Sequence, residues 1–192
     1  KTKFFMIKLY VLVPVHNRSE KTLNFLKSLY EEKQFFDVEI VIVDDGSTDD
    51  TEFKIRQKYE DVTILKGDGN LYWTGAINLG LKYILGIKKD GQYLLIANND
   101  ITFDKNFFFY LKKNISNLKI NFLLSAIAID NRSKKTVRSG GIIKSWFLNI
   151  NQVFFNNKNL SEIKNNEMDV DFVTGRCLIC NINTFESIGF FN

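Results

Sequence analysis

Oxygen-bearing side chains directly follow two apolar, strand-like segments of this sequence. Asp44 and Asp45 come after the segment 38–43, in the turn-forming string DDGSTDD, and NND at residues 98–100 follows the segment 93–97. A carboxylate placed after a strand can accept hydrogen bonds from a nucleobase or a ribose. The same residue types cap helices and form turns, so a purely structural role is the alternative.

Asp100, the last residue of NND, is the candidate metal ligand. Mg²⁺ and Mn²⁺ prefer oxygen ligands, and Mg²⁺ takes one or two carboxylates while water and substrate phosphates complete its shell. An Asn/Asp turn after a strand is the alternative for this tripeptide taken alone. Together with DDGS, NND predicts a divalent cation, Mg²⁺ or Mn²⁺, on Asp100.

A glycine-rich string with two aromatic residues, GDGNLYWTG, occupies residues 67–75. Its glycines permit mobility, and Tyr72 and Trp73 could stack on a ligand or form an apolar wall. The string lacks the GK[ST] ending of a Walker loop and does not match GxGxxG. Packing of both aromatics onto the core is the alternative.

His16 and the two cysteines are assigned structural roles. His16 is the only histidine and is predicted to be a spacer or a backbone hydrogen-bonder in the loop after the first strand. Cys177 and Cys180 form a CxxC inside an apolar string, but zinc would need two further ligands and a redox pair would stand at a helix start. Buried, reduced thiols are expected.

The elements that position these loops alternate between short apolar runs and amphipathic segments. Pro14 is expected to end the first strand because it cannot donate to the ladder. Ser19 is expected to cap the first helix, and Ser47 or Thr48 the second. The order predicts an α/β fold with a mostly parallel, Rossmann-like central sheet flanked by helices. The predicted strands are 7–13, 38–43, 62–66 and 93–97. Of the three predicted helices, one starts at Ser19, the next ends near Tyr59 and the third covers about 76–86.

The second half of the chain has weaker patterns. A strand is expected at 122–129, a turn at Gly140 and Gly141, and an irregular loop or weak hairpin at 149–166. A last strand surrounds DFVTGRCLIC, and a short helix from Thr184 to Ile188 is expected to end at Gly189. In an open α/β sheet ligands bind at the carboxyl ends of strands, so PVHNR, DDGSTDD and NND should line one edge.

Length, composition and net charge limit the classes of protein to which this chain can belong. The chain has 192 residues, enough for one domain that buries roughly 70% of its unfolded surface, and 45% of them are hydrophobic. The net charge of +4 is scattered rather than gathered into a stripe, so nucleic-acid binding is not favoured. A solvated basic surface is expected, although weak attraction to anionic lipid headgroups is compatible with it. With no apolar run of 18 residues and no secretory leader, a cytoplasmic location is expected, with the inner membrane face as an option.

Five motifs in order resemble family-2 glycosyltransferases, whose catalytic domain has the GT-A fold. The version with YWTGAIN and NND looks most like the bacterial surface-polysaccharide branch that includes rhamnosyltransferases. The motifs extend over essentially the whole chain. They are VPVHNR at 13–18, VDDGSTD at 43–49, GNLYWTGAINLG at 69–80, NND at 98–100 and VDFVTGRCLI at 170–179.

This resemblance implies a metal-dependent, inverting transfer of a hexosyl or rhamnosyl unit from a nucleoside diphosphate sugar. The acceptor would be a saccharide or a lipid-linked acceptor in bacterial polysaccharide synthesis. Asp100 would hold the cation on the diphosphate, and Asn98 replaces the first acid of the family's DxD-type motif. Asp44 or Asp45 would contact the base. The implied donor and sugar-site residues are Pro14, Val15, Asn17, Asp44, Asp45, Trp73, Gly75, Asn78, Asn99, Thr174 and Gly175.

In the family the usual catalytic base follows GFF, and this sequence ends at GFFN. Either a truncated piece or a naturally shortened copy is expected, and Asp171 is the candidate substitute for the base. A single GT-A domain is expected over 1–192, with a nucleotide-binding half at about 1–100 and an incomplete acceptor side at about 101–192. A nucleotide-sugar-binding module without turnover is the alternative. A sugar-1-phosphate nucleotidyltransferase is disfavoured because PVHNR does not match its GxGxR-like loop.

Overall fold

Long apolar runs form a parallel sheet at the centre of the computed structural model, which describes residues 6–88, 92–118, 122–137, 141–145, 150–153, 155–163 and 168–192. Residues 9–13 of the first strand are 0–2% exposed, as a parallel sheet covered on both faces requires. The first four strands pair in parallel, β1 with β2 and β4, and β2 with β3. These strands are β1 Lys8–Val15, β2 Asp37–Asp44, β3 Thr63–Lys66 and β4 Tyr93–Ala97.

The six-stranded sheet has the order β3-β2-β1-β4-β8-β5, where β5 is Leu123–Ser125 and β8 is Cys177–Asn181. The order 3-2-1-4 is that of a Rossmann half, so the predicted mostly parallel, Rossmann-like sheet is confirmed. By contacts the chain divides into two compact units, Lys1–Phe122 with Cys180–Asn192, and Leu123–Ile179. A single domain over 1–192 stays a prediction.

Pro14 does not end the first strand, and that prediction is wrong. β1 continues to Val15, and Pro14 is in register with Val43 of β2. The pairing of β1 with β4 stops at Leu12 and Ile96, so Pro14 lies beyond the last pair on that side. Its missing N–H therefore removes no ladder bond between these two strands.

Five α-helices are formed by the described residues. Buried Ile77, Leu81 and Ile84 line one side of the third helix, which packs on β1 and β2. Gly80 lets this helix approach the sheet, because a Cβ there would lie 2.1 Å from Cδ1 of Leu12. The helices are α1 Ser19–Glu32, α2 Thr51–Lys58, α3 Tyr72–Ile87, α4 Phe107–Ile115 and α5 Thr184–Ile188.

The predicted N-terminal caps of α1 and α2 are wrong, whereas Gly189 ends α5 as predicted. Ser19 is the first residue of α1, and the cap position is held by Arg18, which has a left-handed conformation and makes no side-chain cap bond. Asp49 serves both helices instead, since its carboxylate accepts from the backbone N–H of Ser19 at 3.2 Å and of Thr51 at 3.0 Å. One acid therefore fixes the starts of both α1 and α2. Helix α3 starts at Tyr72, four residues before its predicted start at about residue 76.

In the second unit, β6 Ile142–Ser145 and β7 Ile150–Val153 form an antiparallel pair. Only β7 lies within 149–166, where an irregular loop or weak hairpin is expected, so this hairpin starts earlier in the chain. The strand expected at 122–129 is shorter than predicted, and Gly140 lies outside the described residues. On β8, Cys177 and Cys180 are free and buried, as predicted, and burial raises the pKa of each thiol to about 12. None of the helices formed by the described residues has the length and apolar character to cross a lipid bilayer.

Candidate active site

The loops after β1 and β2 are joined by one asparagine. The side-chain oxygen of Asn17 accepts from the backbone N–H groups of Thr48 at 2.8 Å and Asp49 at 3.2 Å. The backbone N–H of Asn17 donates to Oγ of Ser47 at 2.7 Å. Asn17 and Arg18 both have positive φ, 58° and 66°, a conformation that is uncommon outside glycine. The predicted meeting of these two loops at the carboxyl edge of the sheet is therefore observed.

Asp44, the last residue of β2, is a buried carboxylate with partners inside the protein. Its Oδ2 accepts from Nζ of Lys66 at 2.8 Å, and its Oδ1 accepts from the backbone N–H of Ser47 at 3.0 Å. Burial opposes ionisation of Asp44, but the Lys66 and Ser47 hydrogen bonds outweigh burial and hold its pKa below the ordinary value. The charged carboxylate thus ties the end of β2 to the end of β3.

Asp45 fixes the glycine-rich string. It is 5% exposed, and its two oxygens accept from the backbone N–H groups of Gly69 at 2.8 Å and Tyr72 at 2.9 Å. The backbones approach so closely that a Cβ on Gly67 would lie 2.5 Å from Oδ1 of Asp45, and one on Gly46 would lie 2.8 Å from Cα of Gly69. The string is therefore held in one conformation by a carboxylate. Gly67 is required by space, and Gly69 has a φ of 90°, which favours glycine.

Each Asp44 and Asp45 oxygen already accepts a hydrogen bond, so both acids organise the loops. A carboxylate has about four lone-pair sites, and these two acids use two each for the bonds described. Contact of either acid with a base stays a prediction.

The two aromatic residues of the string differ in their surroundings. Trp73 is half-buried, and its Nε1 donates to Oδ1 of Asn98 at 3.1 Å. Its ring forms a T-shaped pair with the ring of Phe191 at a centroid distance of 5.4 Å. Tyr72 is 80% exposed, with a φ of 52°. Core packing, the alternative for both, thus applies to Trp73 only in part and does not apply to Tyr72.

NND places three side chains in three environments. Asn98 accepts from Trp73, and the buried Asn99 donates to Oγ1 of Thr22 at 2.9 Å, which joins the end of β4 to α1. Asp100 is exposed, and among the described residues its carboxylate has no hydrogen-bond or ion-pair partner. Asp100 is therefore an acid of this edge that is available to a ligand.

The donor set around Asp100 fits a cation that draws most of its ligands from water and a diphosphate. In the parts of the chain that the structure describes, no three His, Cys, Asp or Glu side chains are grouped to hold a metal. Mg²⁺ is commonly bound through one or two carboxylates with phosphates and waters completing the octahedron, and one free carboxylate satisfies that minimum.

Other predicted site residues have structural partners. Pro14 is half-buried, and Val15 is buried and its carbonyl accepts from the backbone N–H of Asp45 at 2.8 Å. Nδ1 of His16 lies 2.5 Å from the carbonyl oxygen of Asp45, as expected of a backbone hydrogen-bonder. Asn78 makes two bonds with the backbone of Phe191, at 2.8 and 3.0 Å, and Gly75 lies in the first turn of α3.

Asp171, Thr174 and Gly175 lie in the second unit. Oδ2 of Asp171 accepts from the backbone N–H of Lys144 at 2.7 Å, and the Asp171 side chain is exposed. Oγ1 of Thr174 lies 3.1 Å from Oγ of Ser125, and Gly175 is in the turn before β8. The donor-side residues from Pro14 to Asp100 are all in the first unit.

Two residues of this edge were not predicted from the sequence. Lys66 neutralises Asp44 and also pairs with Glu52, and Thr22 binds Asn99. Lys66 could have been found because it ends a predicted strand on the edge that the polar loops share. Thr22 carries no such signal, since it lies inside a helix.

A family model described as glycosyl transferase family 2 matches residues 10–178. A curated relative, dolichyl-phosphate beta-glucosyltransferase ALG5A of Trichomonas vaginalis, is 29% identical in an alignment of 138 residues that covers 67% of this chain and 41% of the relative.

Solved glycosyltransferase structures have the same fold. S. aureus TarS 1-349 in complex with UDP-GlcNAc superposes with a TM-score of 0.65 at 21% identity, covering 97% of this chain and 49% of TarS 1-349. Mannosyltransferase PcManGT from Pyrobaculum calidifontis, in complex with GDP-Man and Mn²⁺, gives 0.64 at 16% identity, covering 98% and 48%. The predicted GT-A fold is thus confirmed, and the chain spans about half the length of these proteins.

Proposed function

This chain belongs to glycosyl transferase family 2, and from that membership we propose that it binds a nucleoside diphosphate sugar and transfers the sugar to an acceptor hydroxyl. The observation that supports the proposal most is the contrast at the carboxyl edge. Asp44 and Asp45 are bonded into the loops, whereas the Asp100 carboxylate is exposed and unpartnered among the described residues. Such an edge presents loops held by internal hydrogen bonds and a free acid, Asp100, to a ligand.

Asp100 would hold a divalent cation, Mg²⁺ or Mn²⁺, against the donor diphosphate. The PcManGT complex with GDP-Man and Mn²⁺ supports a cation in this fold. When bound, such a cation supplies Lewis-acid stabilisation of the charge that builds on the leaving diphosphate. Asn98, which is neutral and accepts from Trp73, contributes no second carboxylate, so the cation would rest on one protein acid.

The donor-side residues would act mainly by holding shape. Asn17 joins the loops after β1 and β2, Asp44 and Asp45 join the end of β2 to β3 and to the glycine-rich string, and Asn99 joins the end of β4 to α1. A site whose geometry is held before binding loses less side-chain entropy when the donor arrives. Pro14, Val15, Trp73, Gly75 and Asn78 would line the donor site, and Thr174 and Gly175 would lie near the sugar and acceptor.

Transfer would invert the configuration of the sugar, because the acceptor hydroxyl attacks the face opposite the leaving diphosphate. A carboxylate base must take the hydroxyl proton, and Asp171 is the candidate. One of its oxygens is engaged by the backbone of Lys144 at 2.7 Å, which would orient the carboxylate. The sugar would be a hexosyl or rhamnosyl unit. The acceptor would be a saccharide or a lipid-linked acceptor in bacterial polysaccharide synthesis, at or near the cytoplasmic membrane face.

A thermal-shift panel tests the donor half of this proposal. The chain is heated with UDP, dTDP or GDP, each with EDTA, Mg²⁺ or Mn²⁺. At least one nucleotide should raise the Tm in the presence of cation and by clearly less with EDTA, because binding to the native state stabilises it. No shift with any pair of nucleotide and cation would contradict the proposal.

A transfer assay then separates an enzyme from a binding module. The nucleotide that binds is supplied as its sugar conjugates, and release of the nucleoside diphosphate is followed with saccharide and lipid-linked acceptors. Proton NMR of the product at early times gives the anomeric configuration, which should be the opposite of the donor's. Binding without release would support the module that holds a nucleotide sugar without turnover.

A further inference from the structure

Tyr72 combines an exposed ring with an unfavourable backbone. It is the first residue of α3, its φ is 52°, and its side chain is 80% exposed, the highest value among the exposed large hydrophobic side chains of the described residues. A bulky non-glycine residue at positive φ costs free energy and persists only where surrounding structure imposes it. Since the exposed ring gains little from burial, packing of the ring does not account for this conformation.

The buried carboxylate of Asp45 imposes the conformation of Tyr72. Oδ2 of Asp45 accepts from the backbone N–H of Tyr72 at 2.9 Å, and Oδ1 accepts from that of Gly69 at 2.8 Å. Gly67 packs against the same carboxylate with no room for a side chain. One carboxylate thus holds two backbone N–H groups of the string, those of Gly69 and Tyr72, while the ring of Tyr72 stays exposed to solvent.

Trp73 next to it is already engaged. Its indole N–H donates to Asn98 at the end of β4, and its ring meets Phe191. The string from Gly67 to Trp73 therefore reaches from Asp45 on the loop after β2 to Asn98 after β4. Neighbouring strands are about 4.8 Å apart, so the ends of β2 and β4, with β1 between them, are separated by roughly 10 Å.

We propose that Tyr72 stacks on the nucleobase of the donor and so contributes to donor affinity, which rests on the proposed binding of a nucleoside diphosphate sugar. In the proposed complex the diphosphate end of the donor would lie at Asp100 after β4. The backbone N–H of Tyr72 is bonded to Asp45, which directly follows β2, so a base on the β2 side of this edge would meet the exposed ring. Every base has a π-face, and an aromatic side chain held rigidly in place loses little entropy on stacking.

The substitutions Tyr72→Gly and Tyr72→Phe separate the contribution of ring stacking to nucleotide affinity from the effect of the backbone conformation. Glycine adopts positive φ freely, so Tyr72→Gly should keep the Tm within a few degrees of wild type. It should weaken binding of whichever of UDP, dTDP and GDP binds best, with Mn²⁺ present, on the order of tenfold. Tyr72→Phe keeps the ring and should keep the affinity. Tyr110→Ala, which removes another exposed tyrosine, is the matched control and should change nothing.

Inorganic pyrophosphate with Mn²⁺ is the probe that lacks a base. Titration calorimetry should give the same pyrophosphate affinity for wild type and Tyr72→Gly, so that only ligands with a base lose affinity. Unchanged nucleotide affinity in Tyr72→Gly would overturn the inference, as would an equal loss in Tyr72→Phe or an equal loss for pyrophosphate. If wild type binds no nucleotide at all, the proposed function fails first, and the two failures are thereby distinguished.

Discussion

Replacement of Asp45 by asparagine tests whether this carboxylate holds the glycine-rich string. The substitution keeps the size of the side chain and exchanges one acceptor oxygen for an amide NH₂ group. Asp45 is 5% exposed, and both of its oxygens accept backbone N–H groups, those of Gly69 and Tyr72. In Asp45→Asn, one of these N–H groups must therefore face another donor.

The expected cost follows from the two hydrogen bonds. A hydrogen bond to a charged group contributes about 1.5–3 kcal/mol, and a buried donor left without a partner costs about 1–3 kcal/mol. Losing one bond of Asp45 and weakening the other should lower the free energy of unfolding by about 3 kcal/mol. For a domain of 150–250 residues, each kcal/mol shifts the Tm by about 2–4 °C, which gives a fall of about 6–12 °C.

Urea denaturation followed by circular dichroism measures this change, with Asp68→Asn as the matched control. Asp68 lies in the same string, is exposed, and accepts one local bond from the backbone of Asn70 at 2.9 Å. Its replacement should cost less than about 0.5 kcal/mol. A loss below about 1 kcal/mol in Asp45→Asn, or an equal loss in Asp68→Asn, would refute the role of Asp45 as the residue that fixes the string.

Two further predictions concern the same unit. Lys66→Met should lower the free energy of unfolding at pH 7. Because the pKa of Asp44 in the folded protein lies below its ordinary value of 3.8, the Asp44–Lys66 pair stabilises the folded protein at pH values above 3.8. The difference in free energy of unfolding between wild type and Lys66→Met, measured by urea denaturation, should therefore narrow as the pH falls through and below 3.8. Gly80→Ala should cost about 1–3 kcal/mol, because the new Cβ would overlap Leu12, whereas Gly86→Ala, with no atom within 4 Å, should cost nothing in the same measurement.

Much of the first unit could be predicted because hydrophobic pattern and turn chemistry agree there. β2 and β4 are formed by apolar runs that are followed by acids and amides, and the observed bounds of both strands differ little from the predicted bounds. Helix α4 is not predicted, since its run of four aromatics at residues 107–110 masks the period of a helix. The spacing of its buried Phe108, Leu111 and Ile115 could have revealed it.

The arrangement of the site could be predicted only as far as the shared edge. Topology brings the loops after β1, β2 and β4 together, but which atoms meet depends on side-chain direction. The sequence alone therefore does not show that Asp45 binds the string at Gly69 and Tyr72, or that Asn17 spans two loops. The predicted N-terminal caps of α1 and α2 are wrong for a related reason, because the Asp49 carboxylate binds the first residues of both helices, Ser19 and Thr51, which are distant in sequence.

The central claim, a nucleotide-sugar site whose cation rests on Asp100, is tested most directly by calorimetric titration of the nucleotide that binds best. Wild type should bind it at least roughly tenfold more tightly with Mn²⁺ than with EDTA. Asp104→Asn, which alters a nearby exposed acid, should keep that enhancement, and Asp100→Asn should lose it with an unchanged Tm of the free protein. Equal enhancement by Mn²⁺ in wild type and Asp100→Asn would contradict the account.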